Sequence, residues 1–432
     1  MNNSLNMRLG FALVWIVGCT VTTLMLLRRG PRSLPRWPIL LFAALLLRLV
    51  PALALPNGAS YEMEVFRQTV VTLRTGQSVY LTQLAHPYLP LQLYWFGAAH
   101  WLAELTPLNF VFWLKSINIV ADTLLAGLVY LSIRHLRNKE QANWGGWIYA
   151  FNPVTMMVVA YQGQFDAVPL LFLLLAWYLL LVGRDNGRFL TLSALALGVA
   201  VLSKTWPLLF LPMVLLRLPT WKQRLTYTLL MGAVPSAGIL LYELLFPNSL
   251  MPMLRRASQA GAISGWWGYS SILNVWGQMT GSGGKLYAWV GRNGKLLGYL
   301  FGLIMIVWTR KRPLLTSLLL TMLAMFTAVP NLGLQGLSWI VPVAVILGIS
   351  NELGWYILGA AFHMIVSYWG IHLARWWDFF FPKETANMII QLSSLAVWLV
   401  VVAWLVQELI HRRLLPMFFF GDGRTKKPSS LT

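Results

Sequence analysis

Two glutamates, Glu62 and Glu64, stand one residue apart in the first long polar interruption of an otherwise apolar chain, from Pro56 to about Pro107. The whole sequence has only 13 acidic residues among 432. Carboxylates where a hydrophobic helix leaves the bilayer are costly unless they are paired or used in chemistry. The alternative is that they cap the first turn of an interfacial helix, where negative charge is favourable. The pattern favours chemistry over capping, and both roles can hold.

Further acids fall near the same membrane face once the loops are assigned to sides. The acids predicted on or near the outer face are Glu62, Glu64, Glu104, Asp122, Asp166, Glu243, Asp378 and Glu384. Cations and many aromatic residues accompany them. A carboxylate can act as a general base on a hydroxyl, fixed cations can stabilise a departing phosphate, and aromatic faces suit sugar rings. Glycosyl transfer from a lipid phosphate needs this combination.

The elements that must position these residues are membrane helices. The chain is 58% hydrophobic and 11% charged, and its mean hydropathy is +0.64, outside the range of soluble domains. Apolar runs near the roughly 20 residues needed to cross a bilayer recur from end to end. The sequence predicts an all-α polytopic protein with 13 crossings, built as a single integral membrane domain over residues 1–432.

The net charge of +20 is explained mainly by topology. The positive-inside rule places most Lys and Arg in cytoplasmic loops, which puts the N-terminus outside, the basic tail 411–432 in the cytoplasm, and no nucleic acid among the partners. The outer loops are then 56–110, 247–293 and 372–387. An amphipathic helix is predicted over 88–105. Spans are predicted at 144–160, 295–309 and 388–409, with two short helices meeting at Lys204 between Phe189 and Arg217.

Several other classes of function are disfavoured. The single cysteine, Cys19, rules out an intrachain disulfide, and the first apolar run reads as a retained helix rather than a signal peptide. No close cluster of histidines and carboxylates has metal-ligand spacing, so we expect no zinc or diiron site and no cofactor. No glycine-rich phosphate loop is present, which makes a soluble sugar nucleotide a poor donor. No internal repeat is visible, which lowers the odds of a secondary transporter.

Four segments carry a family resemblance. They are YEMEVFRQ with the later GQSVY and HPYLPLQLYW, then NPVTMMVVAYQGQFDAVPL, LSKTWPLLFLP and VPNLGLQGLSWIVP. With these segments the chain resembles the GT-C superfamily of membrane glycosyltransferases, which use polyprenyl-phosphate-linked sugars on the outer side of the membrane, as the lipid-linked mannosyl- and glucosyltransferases do.

The resemblance implies roles for particular residues. Glu62 falls on the family's catalytic base and Glu64 on its second acid, although the family usually has Asp at the first position. Pro90 matches the second proline of a Y-P-P-L segment, whereas Leu89 replaces the first. The implied reaction is an inverting transfer without metal, in which the base takes a proton from the acceptor hydroxyl. Glu62 is favoured over Glu64 as the base.

Ten residues are predicted to bind the donor or line its site, and each has a simpler alternative. They are Arg67, Tyr88, Gln164, Asp166, Lys204, Arg255, Arg256, Gln335, His372 and Arg375. Lys204 is predicted to contact phosphate or else to snorkel to the interface. Arg255 and Arg256 clamp the same phosphate or meet lipid headgroups.

The remaining candidates also have two interpretations. Asp166, with Gln162 and Gln164, contacts sugar hydroxyls or caps the next helix. His372 and Arg375 complete the donor site or belong to an aromatic belt at the interface. Asp122 is predicted to form a structural salt bridge with Lys115 or Arg67.

The sequence therefore predicts a hexosyltransferase in a bacterial plasma membrane, with a role in the cell envelope. Its donor would be a polyprenyl-phosphate-linked sugar, its acceptor a glycan or glycolipid, and its active site would face the extracytoplasmic side. The main rival is a transporter or flippase of lipid-linked sugars, whose polar cavity would also collect Lys and Glu. A third possibility is an acyl- or phosphotransferase acting on lipids at the outer face.

Overall fold

A computed structural model describes residues 3–31, 34–55, 60–82, 86–183, 186–259, 265–282, 284–372 and 381–411. Across these ranges the chain forms helices joined by turns, with no β-strand. This confirms the predicted all-α class. The helices are α1 Asn3–Arg29, α2 Trp37–Ala54, α3 Ser60–Arg74, α4 Leu91–Leu105, α5 Phe110–Leu136, α6 Lys139–Phe151, α7 Pro153–Met156, α8 Ala167–Gly183, α9 Gly187–Ser203, α10 Leu211–Leu215, α11 Trp221–Leu245, α12 Leu250–Gln259, α13 Tyr269–Thr280, α14 Gly284–Trp308, α15 Leu314–Ala328, α16 Ile340–Leu347, α17 Asn351–His372 and α18 Lys383–His411.

Six helices in the described ranges are long and apolar enough to cross a membrane: α1, α2, α5, α11, α14 and α18. Shorter apolar segments lie between them, including α8, α9 and α15. The chain is therefore an integral membrane protein. The predicted count of 13 spans is not confirmed, because several helical legs are shorter than a bilayer requires.

One end of the helix bundle is tied together by arginines. Arg217 donates to the carbonyl oxygens of Thr309 and Arg312, both at 3.0 Å, and Arg137 donates to the carbonyl of Leu347. These contacts join the ends of α5, α10, α14 and α16. Basic residues at the helix ends and turns of this side are Arg28, Arg29, Arg36, Arg134, Arg137, Lys139, Arg188, Arg217, Lys222, Arg224, Arg310, Lys311 and Arg312. We call this side the basic end.

A buried ion pair joins α2 to α5 inside the bundle. Arg48 Nε lies 2.6 Å from Asp122 Oδ2, and both side chains are almost fully buried. Tyr149 also donates to Asp122. The prediction that Asp122 makes a structural salt bridge holds, but its predicted partners, Lys115 and Arg67, were wrong. Arg48 is the partner because α2 packs along α5 and places Arg48 at the depth of Asp122.

The predicted span 144–160 is not one continuous helix, because α6 ends at Phe151 and the chain breaks there. Asn152 caps the short helix α7, and its side-chain oxygen accepts from the backbone N–H groups of Val154 and Thr155 at 3.0 and 3.3 Å. A π-helical turn over Met157–Gln162 follows. Asn at the N-cap and Pro at the first helical position start a new helix. The Asn152–Pro153 pair in the sequence therefore indicates the break.

The predicted pair of short helices meeting at Lys204 is confirmed. Helix α9 ends at Ser203, Lys204 is its C-cap, and a 3-10 turn over Trp206–Phe210 leads into α10. The polar run at 203–205 ends the helix, and Pro207 at the start of the next turn prevents its continuation. The chain thus turns back at Lys204 and leaves that ammonium group inside the protein.

The predicted starts of two spans need correction, and two predicted segments lie partly or wholly outside the described residues. Helix α14 begins at Gly284, within the predicted outer loop 247–293, so the predicted start of that span at residue 295 was wrong. Glycines let α14 pack closely against the end of α15. A Cβ at Gly294 would meet Pro330 at 2.6 Å, and one at Gly298 would meet Val329 at 2.4 Å. Helix α18 likewise starts before its predicted span. Residues 373–380 and the tail beyond 411 lie outside the described residues.

The predicted outer loop 56–110 contains two helices, α3 and α4, as the sequence predicted helices in this loop. Helix α3 turns one apolar face inward, with Met63, Thr69 and Val70 buried. The predicted amphipathic helix is α4, which begins at Leu91. Tyr94 on α4 donates to the carbonyl of Gly238 at 2.6 Å and so fixes α4 against α11.

Candidate active site

The carboxylate of Glu62 is held by two amides from the turn that follows α7. The Nε2 atoms of Gln162 and Gln164 donate to Glu62 Oε1 at 3.3 and 3.2 Å. Among the described residues, Glu62 Oε2 has no hydrogen-bond partner although the atom is buried. One oxygen therefore fixes the orientation of the group, and the other has acceptor capacity to spare.

The surroundings of Glu62 make it a stronger base than an exposed glutamate. Burial raises the pKa of Glu62 above its ordinary value of 4.5, and this effect outweighs the amide hydrogen bonds and the charge of Lys204, which lower the pKa. A raised pKa means that the carboxylate holds a proton more strongly. Such a shift brings a glutamate closer to the range in which general bases work at neutral pH.

Glu64 points to the opposite face of α3. Its side chain is 57% exposed and lies 3.8 Å from Arg67, one turn further along the same helix. Gln68 donates to it at 3.2 Å. Residues at positions i and i+2 of a helix face different directions, so only Glu62 reaches the glutamines. The predicted pair of acids is therefore divided into one buried and one exposed group, and Arg67 accompanies the exposed one.

A second buried carboxylate pairs with the lysine at the break after α9. Lys204 Nζ lies 2.7 Å from Asp166 Oδ2, with both side chains almost fully buried. The indole N–H of Trp339 donates to Asp166 Oδ1 at 2.9 Å. Lys204 Nζ also lies 4.6 Å from the ring centre of Tyr88, a cation–π distance. Tyr88, Asp166 and Lys204 are thus brought together, and Asp166 does not share its contacts with the two glutamines.

Aromatic side chains contact Asp166 and the glutamine that holds Glu62. Trp206 stacks on Trp339 with ring centres 4.0 Å apart, and the hydroxyl of Tyr368 donates to Gln162 Oε1 at 3.2 Å. The ring of Tyr368 meets that of Tyr161 edge to face, with ring centres 4.8 Å apart. Aromatic faces are surfaces on which sugar rings pack; Trp206 and Trp339 are partly exposed, whereas Tyr161 and Tyr368 are buried.

The turn that carries the glutamines depends on one glycine. Gly163 has a φ of +70°, a left-handed conformation that disfavours any residue with a Cβ. A Cβ there would lie 3.0 Å from Met63 and 3.2 Å from Lys115. Lys115 is fully buried, and its ammonium donates to the carbonyl of Leu55 at 3.0 Å. It therefore ties the end of α2 to the site.

The two arginines of α12 have different environments. Arg256 donates to the carbonyl oxygens of Val79, at 3.3 Å, and Thr82, so it holds the first loop against α12. Arg255 is exposed, and no ion pair of its side chain occurs in the part of the chain that the structure describes. Of the two cations predicted to clamp phosphate, Arg255 is the one not engaged with loop carbonyls.

Gln335 is not brought into these contacts, and the contacts of two further predicted donor-binding residues, His372 and Arg375, are not described. Gln335 lies partly exposed in the 3-10 turn Leu334–Ser338, where its carbonyl accepts from Ser338. His372 is the last residue of α17, and only its backbone is described. Arg375 lies outside the described residues.

His86 is a neighbour of the site that the sequence did not single out. It is buried against Tyr80 and Tyr88 at ring distances of 5.7 Å each, and its Nε2 has no partner among the described residues. Burial, with the charges of Arg256 and Lys204, lowers the pKa of His86 to about 3. It is therefore neutral at physiological pH.

Trp339 and Tyr368 were also missed as members of the site. Both are more than 170 residues away in sequence from the groups they contact. No local sequence spacing therefore predicts these contacts. The segment LSWIVP did carry a signal for Trp339, because it was among the segments that resembled the family. Tyr368 had no such signal.

Within the described ranges, no group of three or more His, Cys, Asp and Glu side chains is placed to hold a metal ion. The predicted independence from metal stays a prediction. What the geometry offers is an oriented carboxylate with a free oxygen, a buried ammonium and an aromatic wall.

Three solved structures resemble this fold at low identity. ArnT from Cupriavidus metallidurans, bound to undecaprenyl phosphate, has a TM-score of 0.40 and 14% identity, covering 93% of this chain and 78% of that one. The Archaeoglobus fulgidus oligosaccharyltransferase in its apo form has a TM-score of 0.40 and 12% identity, covering 91% of this chain. Archaeoglobus fulgidus AglB, in complex with an inhibitory peptide and a dolichol-phosphate, has a TM-score of 0.38 and 12% identity, covering 90%. This chain spans 56% of each of the two archaeal chains.

No curated protein matches the chain in sequence. Residues 108–244 match the family described as dolichyl-phosphate-mannose-protein mannosyltransferase. The matched segment runs from the start of α5 to the end of α11 and contains Gln162, Asp166 and Lys204, whereas Glu62 precedes it. This match confirms, for residues 108–244, the predicted resemblance to GT-C membrane glycosyltransferases that use lipid-linked sugars.

Proposed function

We propose that this protein transfers a hexose from a polyprenyl-phosphate-linked donor to a hydroxyl of a glycan or glycolipid, with Glu62 as the general base. The observation that carries the proposal is the environment of Glu62. One oxygen is clamped by two amides, the other is buried and unpartnered, and burial raises the pKa. A structural carboxylate would have both oxygens satisfied.

The reaction is a single displacement at the anomeric carbon. Glu62 Oε2 accepts the proton of the acceptor hydroxyl, and the acceptor oxygen forms its bond to the anomeric carbon. The bond between that carbon and the phosphate oxygen breaks, and its electron pair leaves with the polyprenyl phosphate. Attack from the side opposite the leaving group inverts the anomeric configuration. The carboxylate is regenerated when the proton passes to water.

Negative charge develops on the departing phosphate, and cations near the site would stabilise it. Lys204 is a buried cation whose charge acts on Glu62. One of the three ammonium donors goes to Asp166, and an ammonium can share its other donors with phosphate oxygens. Arg255 is exposed on α12 and is free to reach a phosphate at the membrane surface. The aromatic wall of Trp206 and Trp339 would then hold the sugar.

The site is proposed to face the extracytoplasmic side of a bacterial plasma membrane. Glu62 follows the end of α2 and Lys204 follows the end of α9, whereas the basic end gathers the opposite termini of these helices. Positively charged loops remain in the cytoplasm. The distribution of Lys and Arg therefore supports an outward-facing site, a cytoplasmic C-terminus, and a donor that enters from the bilayer.

The test must separate transfer from transport. The protein would be reconstituted in liposomes with a polyprenyl-phosphate hexose carrying a radioactive sugar, an acceptor glycan and EDTA. We expect label to move to the acceptor, free polyprenyl phosphate to accumulate in equal amount, and the product to have the inverted anomeric configuration by NMR. Label that crosses the membrane while still attached to the intact lipid would identify a flippase and reject the proposal. Transfer that occurs when EDTA is omitted but not in its presence would reject the metal-independent mechanism alone.

A further inference from the structure

Helices α13 and α18 are fixed to each other at one point and separate beyond it. The hydroxyls of Ser271 and Ser394 lie 3.1 Å apart, and the backbone N–H of Gly268 donates to Ser394 Oγ at 3.1 Å. Two turns further along α13, and correspondingly earlier on α18, the helices leave a cavity of about 290 Å³ between them. The cavity is lined by Gln278, Met279, Glu384, Asn387, Met388 and Gln391.

A polar group beside the cavity lacks a partner. Gln391 is only 3% exposed, and its Oε1 atom has no hydrogen-bond donor among the described residues. A buried amide oxygen without a donor costs roughly 1–3 kcal/mol, so such atoms are rare unless something binds them. Gln391 lines the cavity, although Oε1 itself is buried; a ligand hydroxyl would reach this oxygen once the amide turned toward the cavity.

The lining selects a class of ligand. It offers three side-chain amides, one carboxylate and two thioethers, and no lysine, arginine or histidine. An amide presents a donor and an acceptor side by side, which matches neighbouring hydroxyls of a sugar ring. The methionines supply apolar contact for its carbon-bound hydrogens. Because a carboxylate without a cation repels phosphate, the lining disfavours a charged headgroup.

We propose that this cavity binds an uncharged hydroxylated ring, a neutral sugar, with Gln391 and Asn387 as its main hydrogen-bonding residues. Its volume is close to the lower limit of about 300 Å³ for ligand sites, which suits one ring rather than a long glycan. The cavity lies within the first three turns of α18, a membrane-spanning helix, and so near the boundary between membrane and water. It shares no residue with the Glu62 site. The same ring could arrive on a soluble glycan or on a membrane glycolipid.

The experiment uses the full chain in lipid nanodiscs and measures binding by saturation-transfer NMR. The probes are methyl β-glucoside in solution, a diacyl monoglucosyl lipid in the nanodisc, and glucose 6-phosphate as the charged comparison. We expect a neutral probe to bind, with about tenfold weaker affinity in Gln391→Leu and in Asn387→Leu. Binding of the soluble probe identifies an aqueous source of the sugar, and binding of the lipid alone identifies a membrane source.

Two controls make the result decisive. Gln407→Leu, on the same helix but outside the cavity, should bind as the wild type does. Glu64→Gln, at an exposed position outside both sites, should also bind unchanged. The readout is binding rather than transfer, so a failure of the proposed transferase function would leave this result standing. Melting curves establish whether each variant is folded. If Gln391→Leu does not fold, the affinity of Asn387→Leu is the test. The inference is overturned if neither neutral probe binds, if both cavity variants retain wild-type affinity, or if glucose 6-phosphate binds equally well.

Discussion

Replacement of Glu62 by glutamine removes the proposed base while keeping the shape of the side chain. The amide oxygen of the new residue can still accept from Gln162 and Gln164, which now donate at 3.3 and 3.2 Å. The new NH₂ group takes the place of Oε2, where no partner waits among the described residues. We therefore expect a stability cost of about 1–3 kcal/mol from the unpaired donor, which a folded membrane protein tolerates.

The effect on transfer should be much larger than the effect on folding. General base catalysis contributes about 10²- to 10⁴-fold to a rate, and an amide cannot take a proton. We expect kcat to fall by that factor in Glu62→Gln with donor binding retained. Glu62→Asp keeps the base but withdraws it by one methylene. Since a displacement of about 1 Å can cost about 10²-fold, this variant should keep measurable transfer and exceed Glu62→Gln.

Glu64→Gln is the matched control, since Glu64 is on the same helix and is exposed. Substitutions at such positions change stability by about 0.5 kcal/mol or less, and we expect transfer within about twofold of the wild type. The assay is transfer of labelled sugar from a polyprenyl-phosphate donor, with donor binding measured separately. Unchanged turnover in Glu62→Gln together with loss of turnover in Glu64→Gln would refute the assignment of the base.

Four other perturbations test the same geometry. As pH falls through the raised pKa of Glu62, the carboxylate is protonated and transfer should decline, an inflection that a pH–rate profile measures and Glu62→Gln lacks. Burial also means that the folded state binds this proton more tightly than the unfolded state. The contribution of Glu62 to stability is therefore present below pH 4.5 and is lost as the pH rises through the raised pKa. Melting temperatures of wild type and Glu62→Gln at several pH values test the sign of this effect. Asp166→Asn leaves Lys204 buried without its counter-charge and should cost about 3–5 kcal/mol in thermal unfolding. Arg48→Met leaves a buried carboxylate unpaired inside the bundle and should destabilise by a similar amount, whereas simultaneous replacement of its partner by leucine should restore much of the loss. Gly163→Ala introduces a Cβ at positive φ and should cost about 1–2 kcal/mol while reducing transfer, with retained helicity by circular dichroism separating it from unfolding.

The sequence predicted the helical class and the break at Lys204 for clear reasons. Apolar runs of membrane-spanning length identify helices directly, because the bilayer leaves a backbone few other choices. The run from Phe189 to Arg217 was too short for two full crossings and too long for one. Its polar centre at residues 203–205 therefore located the turn. Local signals of this kind need no knowledge of the rest of the fold.

Boundaries were missed where the sequence signal was ambiguous. The start of α14 was assigned to a loop because Gly284, Arg292 and Asn293 look like loop residues. They begin a helix whose glycines pack closely against the end of α15 and the residues that follow it. The break at Asn152 was missed for the opposite reason, since the apolar residues on both sides hid a capping residue followed by proline.

The candidate site shows what sequence alone leaves open. The resemblance favoured Glu62 over Glu64 as the base, and the structure places only Glu62 in contact with the glutamines. Which partners those acids meet could not be read, because Glu62 and Gln164 are 102 positions apart. The glutamines were assigned to Asp166, next to them in sequence, although Asp166 pairs with Lys204.

The pairing of Asp166 with Lys204 has a consequence for the base. Lys204 lowers the pKa of Glu62 by its positive charge, and an unpaired buried ammonium would do so strongly, because little water screens it there. Asp166 lies 2.7 Å from that ammonium and offsets much of its field at Glu62. The ion pair therefore allows a cation to remain near the proposed leaving phosphate without turning the base into a weak, fully ionised carboxylate. On this argument Asp166→Asn, besides its cost in stability, should move the acid limb of the pH–rate profile to lower pH.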